Sequence, residues 1–289
     1  MVRILGILVG LGFCGVAAWS LLWGVVAYVK EPPQATVEAR FHEEAHEPNT
    51  RFAFEGPFGR FSHDRQQIQR GLLVFQNVCS NCHSLQYIAF RNFRDLGYNE
   101  AQVRNLAASW PHKVATVGPD GSPAERTPLP ADRIPNPFPN EAAARNANGN
   151  ALPPDLTLMV RAREGGAPYI YSLLTGYRDA ATYRNEHGEA LPAENRPSGA
   201  LHFNPWFPNL NIAMPPPLTQ EGQGGVTYAD GTRPTVDQMA QDVSAFLAWT
   251  AEPESDQRKD SGLATLIFLL FGTVLAYMAY QNVWAGKKH

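Results

Sequence analysis

Two long apolar runs stand near the two ends of the chain. Residues 4–29 are almost unbroken apolar sequence without a charged side chain, and residues 262–284 form a second such run. Each run has the roughly 20 residues that a helix needs to cross the hydrocarbon layer of a bilayer. The pattern predicts membrane segments over 1–29 and 261–285, separated by a polar stretch rich in proline and glycine.

The first run has two interpretations. A signal peptide has an apolar core of about 7–15 residues that ends at a small-residue cleavage site. Here the apolar stretch is longer, and it ends at Ala27-Tyr28-Val29 with no clear site of that kind. We therefore favour an uncleaved N-terminal anchor, with a cleaved signal peptide as the alternative.

Charges beside the two runs predict their orientation. Arg3 precedes the first run, and Lys287, Lys288 and His289 follow the second. Because positively charged ends stay in the cytoplasm, both termini should lie inside, including a short tail over 286–289. The intervening stretch then lies outside, as a linker over 30–60 and a domain over 61–258.

Within the external domain, the first segment whose apolar residues have helical spacing is 64–79. Ile68, Leu72 and Phe75 share one face of a helix predicted over 64–79, and Asp64 can cap its N-terminus. Gly71 on this helix either allows another helix to cross closely or is a merely tolerated glycine.

Later segments predict three more helices. Two short ones cover 156–164 and 168–175, and they are separated by glycines. The third begins at a capping box of Thr235 and Gln238 and ends near Pro253. A helix-rich domain follows from these patterns.

The segments between these helices predict loops and one turn. Residues 111–154 and 176–217 have the composition of loops. Residues 225–233, centred on Asp230-Gly231, predict a small hairpin. The fold class is therefore mainly α, with long loops.

The strongest chemical signal is the string Cys79-Ser80-Asn81-Cys82-His83. This C-x-x-C-H spacing is the attachment signature of a c-type haem. The two thiols add across the haem vinyl groups, and the imidazole is then held against the iron as a proximal ligand. The motif predicts one covalently attached haem c and an electron-transfer role.

Other uses of this motif are a thioredoxin-like C-x-x-C pair or half of a zinc site. A zinc site would need two further ligands, usually another cysteine pair. The only other cysteine is Cys14, inside the first apolar run. Haem attachment, which takes place outside the bacterial cytoplasm, also agrees with the predicted orientation.

A second axial ligand is sought among five methionines. Met214 precedes three prolines, which fix φ and remove backbone donors, so that a stiff loop can hold its side chain against iron. Met239 lies on an apolar helix face, where core packing is the better explanation, and Met159 also lies in a predicted helix. We predict His83 and Met214 as the axial ligands. Histidines elsewhere are alternatives to Met214: His42, His46, His63, His112, His187 and His202.

Charge adds one expectation about partners. Three of the 24 basic residues lie near the ends of the chain, so the stretch between the runs carries 27 acidic and 21 basic side chains. This balance favours a basic protein partner over nucleic acid or an anionic membrane surface. Mild acidity that serves only solubility is the simpler alternative.

Several segments follow one another in order along the chain: residues 78–84, 150–156, 161–166, 171–177, 203–208, the Met214 loop (residues 212–218), 251–254 and the C-terminal apolar run. Together they resemble the cytochrome c1 family, over nearly everything from Phe54 to the C-terminus. Asn150 stands where the family has a glycine.

The resemblance implies a class I cytochrome c-like helical haem domain. In it Arg163 would bind a haem propionate, and Pro154 and Tyr169 would line the haem edge. It also implies a subunit of the quinol–cytochrome c reductase (cytochrome bc1) complex, with no catalytic site of its own.

The implied partners are cytochrome b, the Rieske iron–sulfur protein as electron donor and a cytochrome c as acceptor, in a dimeric complex. The implied location is the bacterial inner membrane, with the haem domain on the periplasmic side. A free-standing membrane-anchored cytochrome c shuttle remains the alternative function. An enzyme that reacts at its own haem would need an open iron position.

Overall fold

The computed structural model describes residues 2–32, 34–43 and 52–286. His46 and the predicted tail residues Lys287, Lys288 and His289 lie outside the described residues. The chain divides into two compact units, Met1–Phe41 and His42–His289. The first unit contains α1 (Val2–Lys30), an apolar helix long enough to cross a membrane, and the short α2 (Val37–Phe41).

A crossing of two helices forms the centre of the second unit. α3 (Arg65–Asn77) packs against α8 (Val236–Ala251), and α7 (Gly166–Thr175) also packs against α8. Ile68, Leu72 and Phe75 of α3 are buried, so the predicted apolar face is confirmed. The short α6 (Met159–Ala162) joins this group.

Gly71 lies where α3 and α8 cross. A Cβ atom at this position would stand 2.0 Å from the carbonyl oxygen of Asp242 and 2.6 Å from Cβ of Phe246. Such separations are far below van der Waals contact. Of the two interpretations of Gly71, the structure therefore supports the close helix crossing.

The predicted helix starts are confirmed in part. The Asp64 carboxylate accepts a hydrogen bond from Gln67 N at 3.0 Å, and Thr235 Oγ1 accepts one from Gln238 N at 3.1 Å. However, the Gln238 side chain donates to Asp242 Oδ1 at 2.9 Å, so only half of the predicted capping box is formed.

The predicted helix over 156–164 is shorter than expected. The Asp155 carboxylate accepts from Thr157 N at 3.0 Å and holds the chain in a turn, and α6 begins only at Met159. Gly165 and Gly166 have φ of 83° and 58°, and they separate α6 from α7 as expected.

Further elements lie inside segments that were predicted as loops or not assigned. α4 covers Glu100–Ala108 and α5 covers Glu141–Ala147. Within residues 2–32, 34–43 and 52–286, the helical segments other than α-helices are five 3₁₀ turns: Phe61–Asp64, Cys79–Asn81, Phe90–Leu96, Ala193–Asn195 and Gln223–Gly225.

The hairpin prediction for 225–233 is wrong, because this described segment contains no strand. The Asp230 carboxylate accepts from Thr232 N at 3.0 Å and from the guanidinium of Arg70 at 2.8 Å, which gives an isolated turn.

The part of the chain that the structure describes contains two small antiparallel hairpins elsewhere. In the first, β1 (Val114–Val117) pairs with β2 (Pro123–Arg126), so that Val114 faces Arg126. In the second, β3 (His202–Phe203) pairs with β4 (Asn211–Ile212).

The last element is α9 (Ser255–Trp284). Its apolar part exposes its large side chains and is long enough to cross a membrane, in agreement with the predicted segment over 261–285. Its first two turns are polar and contact the segment before α3. The fold is thus mainly α, as predicted, with two apolar terminal helices.

Candidate functional site

A cavity of about 860 Å³ opens beside the α3–α8 crossing, and its wall is mostly apolar. Val243 and Leu247 of α8 form part of this wall, together with loops that precede α6 and follow β4. All seven predicted site residues line it: Cys79, Cys82, His83, Pro154, Arg163, Tyr169 and Met214. The structure therefore brings together residues that are up to 135 positions apart in the sequence.

The two motif cysteines are positioned by the end of α3. Cys79 opens a 3₁₀ turn there, and its carbonyl oxygen accepts hydrogen bonds from the N–H groups of Cys82 (3.1 Å) and His83 (2.9 Å). Burial raises the pKa of Cys79 to about 12, with a further contribution from Cys82, and burial also raises the pKa of Cys82. A redox-active thiol pair needs a stabilised thiolate. These environments oppose a thioredoxin-like role.

The imidazole of His83 is oriented by a backbone carbonyl. Its Nδ1 lies 2.8 Å from Pro154 O. Because a carbonyl oxygen can only accept, Nδ1 carries the proton and Nε2 keeps a lone pair for a metal. Burial lowers the pKa of His83, against the opposing effects of Pro154 and Asp155, which favours the neutral ligand form.

Asp155 fixes the loop over 150–156, which contains Pro154, to the residues that follow the C-x-x-C-H motif. Its Oδ2 accepts from Ser84 Oγ at 2.8 Å and from Gln86 N at 2.7 Å, and Leu156 N donates to Ser84 O at 3.0 Å. This role of Asp155 was not predicted from the sequence. A Pro-Asp step after a long loop is a signal for such a side-chain turn.

The same loop begins with a strained residue. Asn150 has φ of 71°, in the left-handed region that glycine and asparagine tolerate best. Its carbonyl accepts from Arg145 Nη1 at 3.1 Å. Asparagine at the position of the family's glycine is therefore compatible with the loop.

Met214 lies half-buried in the loop after β4, and Pro215 and Pro217 of this loop line the same cavity. The hydroxyl of Tyr177 donates to Met214 O at 3.0 Å. Burial raises the pKa of Tyr177 well above its usual value, and nearby Tyr169 adds to this, so the phenol remains a donor. Tyr177 lies in the segment 171–177 that resembles the family, but its contact with Met214 could not be predicted from the sequence.

The position of each alternative to Met214 as the second iron ligand can be compared with the cavity. Met239 is fully buried in the α3–α8 core, in agreement with the packing interpretation. Met159 and His202 both line the cavity, whereas His112 Nε2 lies 2.8 Å from Ser80 O and is engaged there.

Arg163 and Tyr169 lie at the wall of the cavity. Arg163 is exposed just after α6, and its guanidinium interacts with the Tyr169 side chain. Burial raises the pKa of Tyr169, and the positive charge of Arg163 opposes this rise. A guanidinium at this place is suited to pair with a carboxylate of a bound group.

The donor set fits a haem c. Adjacent thiols, an oriented imidazole, a thioether and a cation all face one apolar cavity whose volume is within the range of cofactor sites. Among the described residues no group of three or more His, Cys, Asp or Glu side chains forms a separate metal site.

Comparison with known proteins identifies the family to which the chain is similar. The Cytochrome C1 family matches residues 52–287 of the chain. Cytochrome c1 of Rhodospirillum rubrum is 44% identical over 247 residues, which cover 82% of this chain and 87% of that protein.

Two further relatives extend the comparison. The mitochondrial protein of Saccharomyces cerevisiae named "Cytochrome c1, heme protein" is 42% identical over 245 residues, covering 84% of this chain and 74% of that protein. "Cytochrome b/c1" of Bradyrhizobium diazoefficiens is 41% identical over 254 residues, covering 83% of this chain but only 36% of that longer protein.

Proposed function

The chain belongs to the cytochrome c1 family, and we propose that it is the haem-bearing electron-transfer subunit of a quinol–cytochrome c reductase, the cytochrome bc1 complex. The observation that carries this proposal is the meeting of the C-x-x-C-H residues and Met214 in one apolar cavity. The name of the yeast relative, a haem protein, supports the cofactor assignment.

In this proposal each site residue has one role. Cys79 and Cys82 would hold the haem covalently, and His83 Nε2 and the Met214 sulfur would bind its iron. When bound, the haem supplies reversible one-electron chemistry at its iron. The Pro154 carbonyl fixes the His83 ring, so that Nε2 keeps its lone pair.

The surrounding residues bind and shield the group. Arg163 would pair with a propionate, and Pro154 and Tyr169 would line the haem edge and limit the access of water. Tyr177 holds the backbone of the Met214 loop. In this proposal the oxidoreductase activity belongs to the complex, and this chain carries the electron-transfer step.

The proposed partners follow the direction of electron flow. The Rieske iron–sulfur protein would be the electron donor to this subunit, and a cytochrome c would be the acceptor. The Bradyrhizobium relative is named as a joined cytochrome b and c1, which supports association with cytochrome b, in a complex that we propose is dimeric.

The proposed location is the bacterial inner membrane with the haem domain on the periplasmic side. The exposed apolar helices α1 and α9 support membrane anchoring. Arg3 before the first helix and the lysines after the second support termini in the cytoplasm.

Purification in mild detergent tests the proposal against a free-standing shuttle. A subunit of the complex should co-elute with cytochrome b and an iron–sulfur protein. Elution of the chain alone, with its haem intact and quinol oxidation absent from its fractions, would instead support the shuttle.

Covalent attachment gives a second test. After denaturation and gel electrophoresis, the wild-type chain should keep haem-linked peroxidase staining, because thioether bonds survive unfolding. The double variant Cys79→Ser, Cys82→Ser should lose the stain. Cys14→Ser is the matched control, since this thiol lies in α1, and it should stain like wild type. Loss of stain from the wild-type chain on denaturation alone would refute covalent attachment.

The net negative charge predicts how a cytochrome c docks. The reduction rate of a basic cytochrome c should fall several-fold between about 0.01 M and 0.15 M ionic strength, because the Debye length shrinks from ~30 Å to ~8 Å. Stopped-flow reduction across a salt series measures this. A rate that stays flat would reject electrostatic docking and favour a tethered acceptor, for which effective concentration replaces steering.

A further inference from the structure

Residues 53–60 form a closed loop before α3, here called the 53–60 loop. Arg60 N donates to Ala53 O at 3.0 Å and closes its two ends. Gly56 has φ of 73°, and a Cβ atom at Gly59 would stand 2.0 Å from Glu55 O. The tight backbone turn leaves Pro57 and Phe58 exposed at its tip.

A lysine on α9 binds the backbone of this loop. Lys259 Nζ donates to three of its carbonyl oxygens, those of Phe54 (2.8 Å), Gly56 (3.0 Å) and Gly59 (2.7 Å). Arg60 donates to a fourth, Pro57 O, at 3.1 Å. Four carbonyl oxygens of the loop thus accept hydrogen bonds from charged side chains of the protein, which lowers the cost of bringing this part of the backbone close to lipid.

Two carboxylates of α9 complete the attachment. Asp260 Oδ1 accepts from the guanidinium of Arg60 at 2.8 Å. Asp256 accepts from the N–H groups of Phe61 (2.8 Å) and Ser62 (3.0 Å), directly after the loop. The 53–60 loop is therefore fixed to the first turns of α9.

This attachment places the loop at the start of the membrane segment. The apolar part of α9 begins at Gly262, three residues after Lys259. At 1.5 Å per residue, the clamping lysine lies roughly 5 Å from the beginning of the apolar run. The tip of the loop is thus close to the expected level of the lipid headgroups.

The tip carries an aromatic side chain that the domain core does not use. Phe58 is 74% exposed, while Phe52, Phe54 and Phe61 of the same region stack on one another. Aromatic residues concentrate at both interfaces of a membrane. The far end of α9 has Tyr277, Tyr280 and Trp284, whereas its near end has no aromatic residue before Phe268.

We propose that the 53–60 loop is a lipid-docking element, in which Phe58 enters the boundary between headgroups and acyl chains of the bilayer. The partner is the lipid surface itself. Lys259, Arg60, Asp256 and Asp260 make the loop rigid with respect to α9, so that Phe58 supplies the aromatic anchor that this end of the helix lacks. The loop then fixes how deep the haem domain sits and how it tilts on its anchor.

Spin labels on the full-length holoprotein test this proposal. In a Cys14→Ser background, Phe58→Cys provides one reactive thiol, since Cys79 and Cys82 are held in thioethers. Val117→Cys on β1 is the water reference, because Val117 is exposed to a similar degree, at 70%. Leu266→Cys on α9, where the side chain is 66% exposed, is the lipid reference.

The labelled protein, with any subunits that copurify in mild detergent, is placed in phosphatidylcholine nanodiscs. Collision rates are then measured with oxygen, which concentrates in lipid, and with a nickel chelate, which stays in water. We expect the oxygen-to-nickel ratio at position 58 to exceed that at position 117 by several-fold and to approach that at position 266. An unchanged haem spectrum verifies that each variant is folded.

Two results would overturn the proposal. A ratio equal to that of Val117→Cys would place the loop in water. Low collision rates with both reagents would show that another protein subunit covers the tip. Both results leave the electron-transfer proposal untouched, because that proposal is tested by co-elution and covalent haem staining.

Discussion

Replacing Met214 with leucine is expected to keep the covalent haem but to lower its reduction potential by an amount on the order of hundreds of millivolts. Axial ligands set haem potentials over a range of about 0.8 V, and a thioether raises the potential. Leucine has nearly the same volume as methionine, so the half-buried loop should remain packed. An optical redox titration of the purified complex measures the shift.

The same variant should bind carbon monoxide in its reduced form, because removal of the thioether opens one axial position. The wild-type protein should not bind it. Ready binding by the wild type would instead indicate an open iron site and favour an enzyme that reacts at its own haem. Carbon monoxide difference spectra of both proteins distinguish these cases.

Two other methionines provide matched controls. Met239→Leu changes a fully buried core residue and should leave the potential near wild type. Met159→Leu changes a residue that lines the same cavity. If Met159→Leu lowered the potential and Met214→Leu did not, Met159 would be the ligand. If neither did, His202 would be the next candidate.

The geometry of the Met214 loop explains why one residue can have so large an effect. Three prolines restrict the backbone after Met214, and Tyr177 holds its carbonyl oxygen at 3.0 Å. The loop is thus fixed from two directions. The prolines are visible in the sequence, but the contact with Tyr177 joins residues 37 positions apart and required the structure.

Sequence patterns predicted the elements whose signals are local. The apolar face of α3, its Asp64 cap and the two terminal apolar helices follow from residues close together in the chain, and each is present. The C-x-x-C-H string is equally local. The structure places it at the wall of the cavity that the sequence could only imply.

The failures arise where distant residues decide the outcome. The Asp230-Gly231 pair predicted a hairpin. Instead, Arg70 of α3 donates a hydrogen bond to the Asp230 carboxylate at 2.8 Å, and residues 225–233 contain no strand. Gln238 donates to Asp242 rather than completing its capping box. The attachment of the 53–60 loop by Lys259 joins residues about 200 positions apart, beyond the reach of any local pattern.

Replacing Gly71 with alanine is expected to destabilise the haem domain by about 3 kcal/mol or more, at or above the upper end of typical overpacking costs. Alanine normally stabilises a helix by roughly 1 kcal/mol relative to glycine. Here the added methyl group would stand 2.0 Å from the Asp242 carbonyl, and backbone on both helices must move to accept it. The steric cost therefore outweighs the gain in helix propensity.

Displacement of α8 would also reach the haem site. Asp242 Oδ2 accepts from Arg70 Nε at 3.0 Å across the crossing, and Val243 and Leu247 on the same helix line the cavity. We therefore expect Gly71→Ala to lower both the yield of haem-loaded protein and the midpoint of chemical unfolding followed by haem absorbance. Gly262→Ala is the control, because a Cβ atom there meets nothing within 4 Å and should change neither quantity. Wild-type stability in Gly71→Ala would mean that α3 and α8 do not cross in close contact. The position of α8, which lines the cavity with Val243 and Leu247, would then be wrong.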